Sequence, residues 1–384
     1  MIGLPERAVF FVFVRFGEIC RVIKISTLMT FNYNPSGYSF TSSIPDVFTL
    51  SDFQGETVFL RIYLNRSQYE VFSTTLYAYQ GRASIYDLRS VIESYMEENR
   101  LVSCECSFQI IVDRTDYSIP EFKLIYCHAA VNRTCRDFLQ SHFLVDSNVR
   151  LVPHGWSLDL SYIVFPDESS ACSTHLVVQP ESGDGPQVVD LADTPIASKQ
   201  FQLQTLDLNE EDLLARVPSS LGSCQLLSAT IYCGARSFTL FFSSEQPTLW
   251  LYFSNSFNCT DAFPITATTK RKLAFSRSTA ICCGKSSSYD DQIEIEFESE
   301  TSALTPSEAR QLTTALQSTS LLILSPDYPQ GKLILVTDIE SELSDASNEL
   351  CHVKFTWKPV RQQPTFSVSK QPRIFSPTYN RTFN

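Results

Sequence analysis

The segment QIEIEFES, residues 292–299, decides the fold class because its side chains alternate strictly between apolar and acidic. Isoleucine or phenylalanine stands at positions 293, 295 and 297, and glutamate stands at positions 294, 296 and 298. Successive side chains of a β-strand point to opposite faces, so this order gives one apolar face and one charged face. The segment therefore predicts a half-buried antiparallel strand.

Strand-like segments of the same kind occupy much of the chain from residue 229 to residue 357. Each is a short run rich in β-branched and aromatic residues, bounded by polar turns, which is typical of strands. The seven segments are ATIYC (229–233), SFTLFF (237–242), TLWLYFS (248–254), QIEIEFES (292–299), LLILS (321–325), KLILVTDI (332–339) and CHVKFTW (351–357).

One helix is predicted among these strands. Thr305 stands at the N-cap, Pro306 at the first helical position, and Glu308 at the position that closes a capping box. The apolar residues that follow recur at helical spacing, which predicts a helix with one buried face. That face consists of Ala309, Leu312, Ala315 and Leu316.

A second helix is predicted in the first half of the chain. The hairpin-like segment 57–81 precedes SIYDLRSVIESYMEENR (84–100), in which apolar residues recur at helical spacing. Ser84 and Asp87 occupy capping-box positions, and Glu93 falls on the face predicted to be solvent-exposed. Strands that far outnumber helices argue against alternating βαβ units. The sequence therefore predicts a mainly β fold of two antiparallel β-sandwich-like domains, each with about one amphipathic helix.

Length and charge set the domain boundaries. A chain of 384 residues allows two or three domains at roughly 100–200 residues each. Between Ser157 and Asp212, eleven acidic residues accompany a single basic one, Lys199, which is typical of a solvated linker. We predict β-rich domains at 29–165 and 201–358, joined by an acidic linker at 166–200. For residues 1–28 two interpretations stay open, a spurious upstream extension of the reading frame and an N-terminal strand.

The C-terminal segment differs in composition from the rest of the chain. Residues 358–384 contain four prolines, five basic residues and no acidic one. Prolines at this density disfavour a packed domain. Aromatic residues alternate with the charges, so we predict that residues 359–384 form an extended basic tail that docks on a neighbouring subunit; a mobile tail is the alternative. The candidate interface residues are Arg361, Phe366, Lys370, Arg373, Phe375 and Tyr379.

Composition and spacing argue against several other functions. A net charge of −12 with no internal block of Lys or Arg is atypical of nucleic-acid-binding proteins, and no run of 18 apolar residues predicts a membrane span. Twelve cysteines at irregular spacings fit neither a zinc motif nor a disulfide scaffold, so reduced thiols and no metal or cofactor are expected. The segment TAICCGKS (279–286) ends like a phosphate-binding loop, but strand-like sequence follows where that loop requires a helix.

The order of these segments resembles that of uncharacterised β-rich structural proteins from bacteriophage and prophage tails and virions. The resemblance spans most of residues 29–358 and includes MTFNYNPSGYSF, the hairpin with the following helix SIYDLRSVIESYM, the segment LYFSNSFNC, the capped helix TPSEARQLTTALQ and the closing VTDIESELSDASNELCHVKFTWKP. It implies a non-enzymatic assembly subunit that acts through protein–protein interfaces, in a homo-oligomer or with other subunits, and that resides in a virion.

Two other functions remain open from the sequence. The first is an extracellular or surface module that binds glycan or protein, and exposed aromatic residues in a groove would favour it. The second, weaker one is a glycan-active enzyme, which needs two carboxylates about 5–9.5 Å apart, a separation that sequence does not encode.

Overall fold

The computed structural model describes residues 29–360, except 66–69, 167, 184, 198–200, 283 and 342–348. Residues 1–28 and 361–384, with the predictions made for them, lie outside the described residues. The described chain is mainly β, which confirms the predicted fold class. Its buried apolar side chains form three large cores, one after another along the chain, and a smaller fourth core where these meet.

The N-terminal unit, residues 29–126, contains a three-stranded sheet in the order β1-β3-β6 and a five-stranded sheet in the order β2-β8-β7-β4-β5. The two sheets and helix α1 enclose the first core, and all strand pairs except the parallel pair β2–β8 are antiparallel. The elements are β1 (Thr30–Phe31), β2 (Tyr38–Phe40), β3 (Val47–Ser51), β4 (Thr57–Leu64), β5 (Phe72–Tyr77), β6 (Arg82–Tyr86), α1 (Leu88–Glu98), β7 (Ser103–Val112) and β8 (Thr115–Ile125).

The middle unit, residues 143–243, packs a five-stranded sheet in the order β12-β11-β14-β15-β9 against the two-stranded sheet β10-β13. Helix α2 (Cys135–Ser141) precedes this unit, and the pair β9–β15 is parallel. The other elements are β9 (Val149–Pro153), β10 (Ser157–Val164), β11 (Ser169–Pro180), β12 (Gln187–Ala197), β13 (Gln202–Asn209), α3 (Glu210–Ala215), β14 (Cys224–Cys233) and β15 (Arg236–Ser243).

The C-terminal unit, residues 249–359, is a seven-stranded antiparallel sheet in the order β17-β16-β20-β21-β22-β19-β18, with helix α4 on one face. Its elements are β16 (Leu249–Ser254), β17 (Thr260–Ile265), β18 (Ala267–Cys282), β19 (Lys285–Thr301), α4 (Pro306–Leu316), β20 (Leu321–Ser325), β21 (Tyr328–Ser341) and β22 (Val353–Pro359).

The fourth core joins the three units. Phe40 and Ile125 from the N-terminal unit pack there with Ile163 from the middle unit and Phe257 from the C-terminal unit. The loop between β16 and β17 makes polar contacts to the N-terminal unit. Asn258 Nδ2 donates to the carbonyls of Met96 and Leu101, both at 3.1 Å. We call this region the junction.

The acidic segment 166–200 is not a linker. It forms strands β11 and β12, which build one side of the middle unit, so the chain forms three units where the sequence predicted two domains. Leu176 and Val178 on β11, and Val189 and Leu191 on β12, are buried in the second core. Because alternate side chains of these strands face solvent, acidic residues such as Asp190 lie at the surface.

Helix α4 matches its prediction residue by residue. Thr305 Oγ1 accepts from the Glu308 N–H, and the Glu308 carboxylate accepts from the Thr305 N–H at 2.9 Å, so the capping box is confirmed. Pro306 is the first helical residue. The predicted apolar face is confirmed as well, since its four members are the buried residues of the helix: Ala309, Leu312, Ala315 and Leu316.

Helix α1 differs from its prediction at two places. Ser84 lies in strand β6 and caps nothing, because β6 pairs with β3 as far as Tyr86 and the helix begins only at Leu88. Glu93, predicted to face solvent, is buried. Its carboxylate accepts hydrogen bonds from Thr41 Oγ1 and from Arg89 Nε, both at 2.8 Å, which compensates the burial of its charge.

Cys172 and Cys233 form a disulfide between β11 and β14, where they are opposite residues in the register. This corrects the expectation of reduced thiols for these two residues. The other described cysteines with defined side chains are free, and all except Cys224 are buried: Cys104, Cys106, Cys127, Cys135, Cys224, Cys259 and Cys351.

Candidate functional site

The predicted interface residues lie in the tail, outside the described residues: Arg361, Phe366, Lys370, Arg373, Phe375 and Tyr379. The last described residue, Val360, donates its backbone N–H to the Leu333 carbonyl at 2.9 Å. The tail therefore starts beside β21, on the seven-stranded sheet.

The most prominent surface feature of the described chain is the hairpin of β18 and β19, residues 267–301, which we call the β-arm. The two strands pair from Ala267 opposite Thr301 to Cys282 opposite Lys285, and Gly284 in the turn has φ 77°. A two-residue turn with positive φ matches the twist of such hairpins. Strand β19 also pairs with β22, but only from Phe297 to Glu300. Within the described residues, most of the β-arm thus has no further neighbouring strand.

One face of the β-arm carries exposed apolar side chains together with Arg271, which is opposite Phe297 in the register. Phe297, at the base of the arm, is buried in the third core, and residues two and four positions farther along each strand continue the same face. That face carries Leu273, which is 59% exposed, and Phe275, which is 50% exposed. Ile295, opposite Leu273, is half-buried against the core. Leu273 and Phe275 therefore extend the row of apolar side chains from the third core onto the exposed part of the arm.

The opposite face of the β-arm is charged and fixed to the sheet. Glu298 forms ion pairs with Lys272 on β18 and with Lys354 on β22, the second at 3.2 Å. Hydrogen bonds from these two ammonium groups lower the pKa of Glu298 to about 2. Lys358 on β22 lies 3.6 Å from Glu296. These contacts anchor the base of the arm to β22.

The outer strand of the β-arm is basic. Strand β18 contains Lys270, Arg271, Lys272 and Arg277 and no acidic residue. The Arg277 guanidinium lies over the ring of Phe275, with its Cζ 4.9 Å from the ring centroid. Since β18 is the last strand of its sheet, one row of its backbone N–H and C=O groups faces outward beside these cations.

The histidine–carboxylate pairs of the middle unit do not form a nucleophile–base arrangement. His154 Nδ1 lies 2.7 Å from Glu210 Oε1, while His154 Nε2 lies 3.0 Å from the amide nitrogen of Gln225. Both ring nitrogens therefore have partners, and no hydroxyl or thiol stands where a base would activate it. His175 Nδ1 likewise contacts a carboxylate, that of the exposed Asp190.

The buried thiols are poorly suited to nucleophilic chemistry. Burial raises the pKa of Cys104 and of Cys259 to about 12, and that of Cys127 to about 11. At neutral pH these groups are thiols rather than thiolates, and the thiolate is the reactive form. Among the described residues, no group of three or more His, Cys, Asp and Glu side chains is placed to hold a metal ion. No helix in the same part of the chain is long and apolar enough to cross a bilayer.

A cleft lies between the middle and C-terminal units. Its walls include Arg150 from β9, Phe263 from β17, and Gln311 from α4. Arg150 is buried, and its two Nη atoms donate to the Asp261 carboxylate, Nη2 at 2.8 Å. Its Nε and Gln311 Oε1 have no hydrogen-bond partner among the described residues. The cleft therefore places two buried polar atoms without protein partners at the contact between the units.

Comparison with known proteins gives no family for this chain. No protein-family model and no curated protein matches it. Among solved structures, it is similar to the full extracellular region of Plexin A4, domains 1 to 8, with 8% sequence identity and a TM-score of 0.20. The match covers 89% of this chain, which spans 40% of the Plexin A4 chain. A TM-score of this size does not indicate a shared fold.

The outer strand of the β-arm, β18, was not predicted from the sequence. A signal was present, because TTKRKLAFSRSTAIC (268–282) runs without proline into Cys-Gly-Lys, and QIEIEFES follows at hairpin distance. Cations stand on both faces of this segment, because both faces of a projecting hairpin meet solvent. The segment therefore lacks the apolar–polar alternation that is typical of a half-buried strand. Strand β19 follows Gly284 and confirms the strand-like sequence that argued against a phosphate-binding loop at TAICCGKS.

Proposed function

We propose that this protein is a non-enzymatic assembly subunit, which acts through protein–protein interfaces and uses the β-arm to contact a neighbour. The observation that carries the proposal is the exposed apolar face of the arm at Leu273 and Phe275. A two-stranded ribbon is marginally stable alone, and a neighbour that covers this face stabilises it. Covering the exposed half of each side chain contributes roughly 1 kcal/mol per residue.

The resemblance of the sequence to β-rich bacteriophage tail and virion proteins supports a finer proposal, a subunit of such an assembly. Subunits of extended assemblies need contact surfaces at two separate places, one for each neighbour. The β-arm is one such surface, and the basic tail that starts beside β21 is a second candidate. Localisation in a virion belongs to this finer proposal.

The test is the solution mass of the full chain, measured by light scattering across a concentration series. We expect species heavier than the 43.4 kDa monomer, and we expect the Leu273→Ser/Phe275→Ser variant to return to the monomer mass. A chain that ends at Val360 keeps the whole of β22 and tests the tail in the same way. The matched control is Tyr77→Ser/Tyr86→Ser, which removes two exposed aromatic rings far from the arm. A full chain that stays monomeric at every concentration would overturn the proposal.

A second candidate function is a module that binds glycan. The observation in its favour is a group of strongly exposed tyrosines on and beside strands β5 and β6: Tyr77, Tyr79 and Tyr86. Aromatic rings with free faces are the groups that stack on sugars. A glycan array with the full chain tests this function, and binding that survives Tyr77→Ala/Tyr79→Ala/Tyr86→Ala would exclude these residues.

A further inference from the structure

We propose that the neighbour of the β-arm is a second copy of this chain, and that β18 of one copy pairs edge to edge with β12 of the next. This inference rests on the proposed function and adds the partner and the acceptor surface to it. The contact joins two different surfaces, the C-terminal unit of one copy and the middle unit of another.

Among the described residues, both strands lie at the end of their sheets. Strand β18 is the last strand of the seven-stranded sheet, and β12 is the last strand of the five-stranded sheet. An end strand presents a row of backbone N–H and C=O groups that another extended strand satisfies by pairing. Strand β18 is 16 residues long, and residues 187–191 of β12 offer a pairing length of five residues.

The charges of the two strands also favour their pairing. Strand β18 carries four cations and no acid, whereas the part of β12 at 187–191, QVVDL, carries Asp190 and no cation. Opposite charges across a strand pair are favourable, and like charges directly opposite each other are unfavourable. Pairing of β18 with β18 of another copy is therefore disfavoured. Asp261 on β17, another end strand, is buried and held by Arg150, whereas Asp190 on β12 keeps 71% of its side chain exposed beside its partner His175.

The surface next to the β12 edge also suits β18. Asp190 has 71% of its side chain exposed, and Val188 beside it is also 71% exposed. An exposed β-branched residue next to an exposed carboxylate matches the apolar and cationic residues of β18, Leu273 and Arg271. Arg216 Nη2 contacts the Ala192 carbonyl at 3.3 Å, so the open part of the edge is residues 187–191.

The geometry of this contact has a consequence for assembly. Each subunit uses its β18 to bind one neighbour and its β12 to bind the other. A chain of subunits therefore ends with a free β-arm on one side and a free β12 on the other. Such head-to-tail contacts close into rings or continue as filaments. Ionic contacts between exposed groups are weakened by salt, so assembly is expected to weaken as ionic strength rises.

The experiment is a charge exchange. Lys270→Glu/Arg271→Glu makes the arm acidic, and Asp190→Lys makes the acceptor basic. We expect each variant alone to associate about tenfold or more weakly than the unaltered chain, measured by light scattering and sedimentation. An equimolar mixture of the two variants restores association, because each arm then meets an acceptor of opposite charge. The chain with all three substitutions associates with itself again.

Controls separate the outcomes. Arg133→Glu reverses an exposed charge in the loop before α2 and is expected to leave association unchanged. If the unaltered chain associates and responds to Leu273→Ser/Phe275→Ser, while both charge variants associate normally or fail to complement each other, the edge pairing is overturned and the assembly function stands. If the unaltered chain does not associate at all, the assembly function itself falls. Restoration by mixing also excludes misfolding as the cause of the single-variant losses.

Discussion

Arg236 satisfies all five of its N–H donors in the interior of the middle unit. Its Nε donates to the Leu139 carbonyl at 2.8 Å, and its Nη2 donates to the Ile163 carbonyl at 2.7 Å. Its Nη1 donates to the Cys233 carbonyl at 3.4 Å, and both Nη atoms bind the Glu168 carboxylate, at 2.5 and 3.2 Å. The side chain is fully buried. One guanidinium thus ties α2, β10 and β14 together.

We predict that Arg236→Met lowers the free energy of unfolding by about 3–5 kcal/mol, because it leaves the mostly buried Glu168 carboxylate without its charged partner, with only the Phe165 N–H as donor. Arg236→Lys is expected to be destabilising as well, since three donors cannot replace five in a fixed fork. Urea denaturation followed by tryptophan fluorescence measures both effects. The double variant Arg236→Met/Glu168→Gln should recover part of the loss; a double variant as unstable as the two single losses combined would contradict this account.

At the scale of elements, the capping box of α4 gives the clearest expectation. Thr305→Ala removes the side-chain acceptor for the Glu308 N–H, and the loss of such an N-cap costs about 1 kcal/mol of stability. Chemical denaturation of the full chain measures this change. Ser307→Ala is the matched control, since Ser307 is exposed in the first turn and alanine favours the helix there. A cost as large for the control would show that the cap is not the cause.

Elements whose signals are local were predictable from the sequence. The cap and the apolar face of α4, and the alternation of QIEIEFES, lie within a dozen residues, so reading one segment suffices. Ser84 shows the limit of this approach, because pairing of β6 with β3, some 35 residues away, overrides its capping pattern. The acidic segment 166–200 shows another, since its charges concealed the alternating Val and Leu residues that bury it in the second core.

The candidate site was harder to predict than the fold. The sequence placed the interface in the tail, and nothing in the described residues tests that placement. The β-arm could not be predicted from the sequence, because the point where a hairpin leaves its sheet depends on contacts between distant segments. Here β19 pairs with β22 over only four residues. The partner edge β12 was hidden for the same reason, because strand order within a sheet is not encoded locally.

At the scale of the whole molecule, Asp146 lies at the contact of the middle and C-terminal units, with Asp261 and Arg150 as its charged neighbours. Burial raises the pKa of Asp146, and the nearby Asp261 carboxylate adds to the increase, although a hydrogen bond from Ser256 opposes it. The ionised form is therefore less favourable in the folded state than in the unfolded chain. Stability linked to this group is fully present below the ordinary pKa of an aspartate and is lost as pH rises through the folded-state pKa.

We predict that Asp146→Asn stabilises the protein at pH 7, and that this gain disappears as the pH falls below 4, where the native carboxyl is protonated as well. Denaturation curves of both chains between pH 3 and pH 8 measure the difference. Trp156 and Trp250 lie with their ring centroids 5.6 Å apart across the two units, so their fluorescence reports on separation at this contact. An asparagine variant that is less stable than the unaltered chain at pH 7 would contradict the assignment.

The junction also constrains how the chain folds during its synthesis. The first core is complete once residue 126 has emerged from the ribosome, so the N-terminal unit can fold while translation continues. Its outer side chains Phe40 and Ile125 belong to the fourth core, which is complete only when Phe257 has been synthesised, more than a hundred residues later. At roughly 5–20 residues per second, this interval lasts on the order of ten seconds. During it the apolar side chains of the fourth core are only partly covered.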